Sequence, residues 1–501
     1  MIAPALLALL LASVRQEVPP SPAPAPDGGE AQGESERKQE GGDAPPVEVP
    51  PQEVPRPAPS DVPADLPPAA GEAAPPPPQA ENPAPSASTL PPAHPPVTWP
   101  LSSEALAAHL RGIAEAHPTI ALLETLDRSA QGREILVLRL GLRDGGEAAR
   151  PTLLLADHHG RASAGPEAMV ALAWRLASAH EQDEGVRALL ARASLVLAPA
   201  LDPDARSESV ATLQLGASSV EPVAAAPAAR APLARFERNF PSGWQPETRR
   251  AGSGRVSLSM PETLAATRFL AGLDACSVVL GFAPTSPPGQ PYAGAELPAG
   301  DREVFQRLAA ALERPGARAL IPWYEHGSPG GGFFDFAYQA RGIYPLFFAL
   351  PSEEELTRTG AAPFVAEVGE RVLGCLALLP RVELAQEAFE RVAPDTWQLD
   401  LRLVNAGLVP TASALVGHRG VRADVVLALA GAKLLATAHR ARSGTEYTPV
   451  FEVRTPLSAG TLAGGEERWL RLLIEAGPGA AVSVTASSPW AGRAQLRLTL
   501  P

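Results

Sequence analysis

Apolar residues recur along this chain at two periods, and the places where the period changes lay out its architecture. Leu106, Leu110 and Ile113 share one face of a helix that Ser102 or Ser103 can cap and that His117-Pro118 ends. Ile120 to Asp127 and Glu134 to Gly141 read as strands. The apolar run Leu153, Leu154, Leu155 is a further strand, followed by the polar stretch Asp157 to Glu167 and an apolar-periodic helix from Pro166 to Ala179. Strand, polar turn and helix in that order is where open α/β sheets hold their ligands, beyond the carboxyl ends of the strands. Gly185 to Ala191 gives a second helix, and Ser194 to Pro199 a buried strand that ends at Leu201-Asp202-Pro203-Asp204-Ala205. Ser277 to Phe282 and Gly342 to Leu350 are two more strands, and a helix from about Pro363 to Leu379 closes this part. Beyond it, Trp397-Leu399-Leu401-Leu403, Val482-Val484 and Leu496-Leu498-Leu500 alternate with polar residues. Period-two alternation between Gly/Pro turns indicates half-buried strands, and several in succession predict a small β-sandwich.

Composition changes the picture at the N-terminus. The chain holds 57 prolines in 501 residues, far above ordinary usage, and they are concentrated in the first hundred. Gln16 to Pro96 is built of Pro, Ala, Glu and Gly, with Pro75 to Pro78 consecutive and mixed charges at Glu34 to Glu40. So few aliphatic and aromatic side chains cannot offset the entropy of ordering the chain, so residues 15–97 are expected to be a disordered spacer with polyproline II character. Met1 to Ala12 is almost wholly apolar and precedes Ser13, Val14 and Arg15. It is too short to span a bilayer as a helix and fits an export signal over residues 1–14, which implies a periplasmic or extracellular bacterial protein with no transmembrane helix. A formal net charge of −13 argues against nonspecific nucleic-acid binding, which needs a basic footprint. Cys276 and Cys375 lie far apart in apolar segments and form no C-x-x-C, so buried free thiols are expected.

Several short motifs carry a resemblance. Asp157-His158-His159-Gly160-Arg161-Ala162 resembles the metal-binding H-x-x-E loop of the zinc carboxypeptidases, the carboxypeptidase A-like family, with Ala162 in place of the glutamate. Just before it, Asp127-Arg128-Ser129-Ala130-Gln131-Gly132-Arg133 keeps Ser129, Gly132 and Arg133 of the family's G-x-S-x-x-G-R turn. The Pro203-Asp204 pair matches the core of N-P-D-G. Arg235-Phe236-Glu237-Arg238-Asn239-Phe240 is similar to D-x-N-R-N-F/W, with Glu237 replacing an asparagine. Met260-Pro261-Glu262-Thr263 is similar to E-P-E-T, and Gly327 to Tyr338 resembles G-S-x-x-D-W/F-x-Y through Ser328, Asp335, Phe336 and Tyr338. These partial matches occur in the family's order from about Trp99 to Leu379.

The resemblance implies a mixed central sheet flanked by helices over residues 98–380, followed by the β-sandwich over 381–501. It also implies a zinc site of two histidines and a glutamate with water in the fourth position, a ligand set for which carboxypeptidase A is itself a standard example. Carried over, His159 is the one ligand position still filled by a ligand type, because Ala162 and Ala283 stand at the other two. Ala349 stands at the general base, in the strand that matches G-I-x-x-x-T-x-E-L. A methyl group donates no lone pair and accepts no proton, so zinc is expected from the family but not held here, and the inherited hydrolysis is expected to be absent. Arg238 and Arg161, with Arg133, can grip a carboxylate through the planar guanidinium or serve in internal ion pairs. Asp335 and Glu262 are expected to cap or brace helices, and Glu167 to be a first-turn acid favoured by the helix dipole.

Three functions remain open on this reading. The first is a catalytically inactive protein that binds peptide or cell-envelope material in the former substrate cleft. The second is an active metallocarboxypeptidase with a metal site rebuilt from Asp157, His158, Asp202, Asp204, His326 or Asp335; adjacent side chains on an extended segment face opposite ways, which argues against His158 and His159 sharing one metal. The third is a structural envelope protein that binds through its β-domain, which deletion of Val382 to Pro501 would separate from the first.

Overall fold

The computed structural model describes residues 86–141, 150–159, 163–215, 234–273, 275–283, 297–326, 330–419, 423–440, 446–450 and 455–501. The expected export signal, most of the proline-rich spacer and the Ala/Pro insert around Val220 to Pro232 lie outside them.

Seven strands form the first sheet: β1 (Ala121–Arg128), β2 (Glu134–Leu140), β3 (Thr152–Ala156), β4 (Ser194–Ala198), β5 (Cys276–Ala283), β6 (Leu320–Pro322) and β7 (Tyr344–Ala349), in spatial order β1-β2-β4-β3-β5-β7-β6. The central four run parallel, β4 with β3, β3 with β5 and β5 with β7, while β1, β2 and β6 pair antiparallel at the two edges. Every residue of β3, β5 and β7 is buried, as strands covered on both faces require. The covering helices include α1 (Ser103–Ala116), α2 (Gly165–Ala179), α3 (Glu184–Arg192), α4 (Pro203–Gln214), α5 (Pro261–Gly272), α6 (Ala299–Ala311), α7 (Trp323–His326), α8 (Phe333–Arg341), α9 (Glu353–Thr359) and α10 (Ala362–Leu378). Of the two candidate caps, Ser102 caps α1: its side chain accepts from the Ala105 N–H at 3.2 Å. The expected mixed sheet flanked by helices is the fold observed.

The packed part begins earlier than Trp99. Ala87 and Leu90 are buried in the core of the α/β domain. Arg175 on α2 donates to the carbonyls of Pro91 and Leu90 at 3.0 Å each and to that of Ala87, and Ser86 donates to Glu370 at 2.5 Å. Residues 86–97, expected in the spacer, therefore lie against α2 and α10. Composition misses this because the anchors are main-chain carbonyls, which any sequence carries.

Two all-antiparallel sheets follow. One holds β8 (Val382–Ala393), β9 (Thr396–Asn405), β11 (Lys433–Arg440), β12 (Thr448–Val450) and β14 (Glu467–Glu475), the other β10 (Val426–Ala430), β13 (Leu457–Ser458), β15 (Ala481–Ser488) and β16 (Gly492–Thr499). Leu399, Leu401 and Leu403 of β9 share a core with Val482 and Val484 of β15, the alternation read in the sequence. Cys276 and Cys375 are free and buried, as expected, and burial pushes the Cys276 thiol up to about 12. Among the described residues no helix is long and apolar enough to cross a membrane.

One buried carboxylate bolts the two parts together. Asp301, on α6, is 1% exposed and accepts from the hydroxyls of Tyr338 at 2.8 Å and Tyr344 at 2.6 Å. It also accepts from the N–H groups of Ala414 at 2.7 Å and Leu415 at 3.0 Å, at the start of the short helix α11 (Ala414–His418) inside the second part. Burial and the Asp301 charge hold both phenols above the ordinary tyrosine range. Deleting residues 382–501 therefore removes two of the four donors to a buried charge and does not test β-domain binding cleanly. Asp301→Ala leaves four donors without their acceptor and is expected to destabilise the chain by about 3 kcal/mol or more, with Asp301→Asn between it and wild type. Urea denaturation followed by tryptophan fluorescence measures this; an Asp301→Ala midpoint equal to wild type would refute the bolt.

Candidate functional site

Because β4, β3, β5 and β7 run parallel, their carboxyl ends share one edge of the sheet, and the segments leaving them meet there. Asp157 follows β3 and shapes its loop. Its N–H donates to the Ala198 carbonyl at 3.0 Å, its carbonyl accepts from Leu201 N–H at 3.2 Å, and its carboxylate accepts from His159 N–H and Ser163 Oγ at 2.9 Å each. His158 is buried, with its ring 3.8 Å from that of His159, edge-on to Phe334 at 4.7 Å and 6.3 Å from Phe347. The expectation that the two histidines face opposite ways is thus corrected. Strand alternation ends with β3 at Ala156, and past it the chain turns so that the two rings lie side by side.

Ala283 and Ala349 are direct partners across β5 and β7. Ala283 is fully buried and Ala349 is 9% exposed. On the same face, two residues back along each strand, lie Gly281 and Phe347. The Phe334 ring lies on Gly281 so closely that a Cβ there would come within 2.3 Å of it, which is why no side chain larger than hydrogen fits. Phe334 and Phe347 meet edge to face at 4.7 Å. Two aromatic rings thus stand beside His158, and Ala283 and Ala349 lie farther along the same face of the sheet as Gly281 and Phe347.

That donor set does not fit a three-ligand zinc. Among the described residues no group of three His, Cys, Asp or Glu side chains is placed to hold a metal ion. Of the residues considered for a rebuilt site, Asp335 caps α8, accepting from Gly332 N–H at 2.9 Å and Trp323 Nε1 at 2.8 Å. Asp204 accepts from Arg133 Nη1 and Ser129 Oγ at 2.8 Å each and from Gln131 N–H at 2.9 Å. Arg133 is thus part of an internal ion pair. Arg161, Ala162 and Ser328 lie outside the described residues, as does the side chain of His326. Arg238 donates to the Ala251 carbonyl at 2.7 Å, and no ion pair joins it to Glu237 among the described residues.

Beneath the loop lies a pair that the pattern of the sequence did not reveal. Glu167 and Arg206, each 1% exposed, meet at 2.5 Å. Glu167 also accepts from Leu101 N–H at 2.7 Å, and Arg206 donates to the carbonyls of Leu101 at 3.1 Å and Ser163 at 3.0 Å. Burial pushes the Glu167 carboxyl up, while Arg206 and the Leu101 N–H pull it back. Nothing short of the tertiary fold identifies Arg206 as its partner, since 39 positions separate them. Glu262 keeps its bracing role by accepting from Ala130 N–H at 2.7 Å. Asp202 caps α4 by accepting from Ala205 N–H at 3.0 Å, and its burial, with Glu262, Glu237 and Asp204 nearby, raises it to about 7.

Two stability predictions follow from these groups. Glu167→Gln or Arg206→Met leaves one buried partner behind and is expected to cost about 3–5 kcal/mol, while the double replacement Glu167→Leu with Arg206→Met recovers most of it. Denaturant unfolding of the three variants decides the matter, and additive losses would contradict a coupled pair. Asp202 has a folded pKa raised from 3.8 to about 7, so its contribution to stability is fully present below about pH 4 and is lost as pH rises through 7. Asp202→Asn keeps a good cap and removes that charge. It is expected to melt higher than wild type at pH 8 and alike at pH 4; equal melting at both values would show that Asp202 does not titrate this way.

The zinc carboxypeptidase family model (Peptidase_M14) matches residues 106–360, and a domain of unknown function (DUF8731) matches residues 381–499. Carboxypeptidase A from Helicoverpa armigera is similar in structure at 18% identity with a TM-score of 0.42, covering 55% of this chain and 74% of that one. A metallo-carboxypeptidase from Burkholderia cenocepacia is similar at 17% identity with a TM-score of 0.35, covering 55% and 68%. No curated protein sequence matches this chain.

Proposed function

The chain belongs to the zinc carboxypeptidase family, and from that premise we propose that it is an exported member that has lost hydrolysis and binds peptide or cell-envelope material in the former substrate cleft. The observation that carries this reading is the pairing of Ala283 with Ala349 at the carboxyl edge of the sheet. In the family that edge supplies a zinc ligand from one strand and a general base from the other; here each strand presents a methyl group. His159 alone cannot hold zinc against solvent at useful affinity, because such a site takes three protein ligands. With no carboxylate at position 349, no base there can take the proton of an attacking water. Phe334 and Phe347 fill the space beside these strands with apolar contact.

Arg238 and Arg161 are the residues proposed to meet a carboxylate of the bound ligand, through the charge-assisted geometry that guanidinium groups favour. Arg238 keeps its Nη1 on the Ala251 carbonyl, which fixes its orientation.

Metal analysis of purified chain, joined to an assay for release of C-terminal amino acids, tests the proposal. The expected result is substoichiometric zinc and no release, both unchanged in His159→Ala. Stoichiometric zinc together with release that His159→Ala abolishes would overturn it in favour of an active carboxypeptidase with a rearranged site.

A further inference from the structure

The loop of residues 234–260 carries charge of the opposite sign to the chain as a whole. It holds five arginines, Arg235, Arg238, Arg249, Arg250 and Arg255, against two glutamates, Glu237 and Glu247, in a chain of net charge −13. Glu247 is turned to the main chain, its carboxylate accepting from the N–H groups of Gly252 at 2.8 Å and Gly254 at 2.7 Å. Arg235, Arg249 and Arg255 are exposed. None of these three, nor Arg238, has a carboxylate within ion-pair reach among the described residues.

Three of the arginines are held against the backbone. The stem of Arg235 crosses Gly252, where a Cβ would come within 3.1 Å of its Cγ and Cδ. Arg238 Nη1 donates to Ala251, and Arg250 donates to the Gly330 carbonyl. Burial, and after it the neighbouring Arg238 charge, hold Arg250 below the usual arginine range, while Asp335 and Glu237 pull it back. The loop is fixed rather than slack. Buried Asn239 donates to the carbonyls of Ser253 at 2.7 Å and Val256 at 2.9 Å and accepts from Met260 N–H and Thr263 Oγ1, and Trp244 Nε1 donates to Ser253 at 3.0 Å. Its underside reaches the cleft through rings: Phe236 and Phe240 pack on Phe333, Phe333 on Phe334 at 5.1 Å, and Phe334 on His158.

We propose that this arginine-bearing loop is a specificity surface for acidic side chains, so that the polypeptide taken by the cleft is one rich in aspartate and glutamate near its bound end. The inference rests on the cleft-binding reading and goes beyond it, since Arg235, Arg249 and Arg255 serve side chains rather than a terminal carboxylate. Exposed, unpaired cations beside a binding site select by charge and speed encounter, an effect that salt weakens.

Fluorescence anisotropy with two labelled peptides of equal length, one carrying three glutamates and the other three glutamines before the same last residue, tests it. At low salt the glutamate peptide is expected to bind roughly three- to tenfold tighter, the range of two exposed charge pairs. Added salt, or the double substitution Arg249→Ala with Arg255→Ala, should erase that preference and leave the glutamine peptide's affinity unchanged. Equal binding of both peptides to wild type, or a preference that survives the double substitution, overturns this inference alone. A wild type that binds neither peptide overturns the cleft reading and this inference with it.

Discussion

The buried pair of Glu167 and Arg206 sets the terms for everything at the carboxyl edge of the sheet. Taking two charges out of water costs several kcal/mol each, a cost offset by their mutual attraction and by further hydrogen bonds. Here those bonds go to the Leu101 backbone, on both its N–H and its carbonyl, and to the Ser163 carbonyl, while Glu167 Oε2 has no partner among the described residues. Four segments must therefore be in place at once: the entry to α1, the end of the β3 loop, the first turn of α2 and the interior of α4. Asp157 holds His159 and Ser163 on either side, and Arg206 of the pair holds the Ser163 carbonyl.

The edge keeps its form through the backbone, because the register of β5 and β7, with Ala283 opposite Ala349, is made by main-chain groups whatever side chains stand there. The space is taken up by apolar contact, with Phe334 on Gly281 and against Phe347 and His158. Farther from the edge, Asp301 applies the same principle between the two parts of the chain, one buried carboxylate meeting four donors drawn from both. Charge is thus used inside this protein as a fastener, and on the 234–260 loop it is left facing solvent.

By itself the sequence determined most of the strands and helices in their order along the chain, since the apolar run of β3, the helix faces and the alternation of β9 and β15 are local patterns that burial enforces, while the short edge strand β6 and the pairing order of the sheet did not show in it. What it left open was spatial. The neighbouring rings of His158 and His159 depend on where β3 stops, and the seating of residues 86–97 depends on main-chain carbonyls meeting Arg175. The partnership of Glu167 with Arg206 and the convergence of four donors on Asp301 depend on contacts across 37 to 114 positions of chain. Such long-range pairs have no period and no motif; only the tertiary structure decides them, because only it removes the water that would otherwise satisfy each group alone.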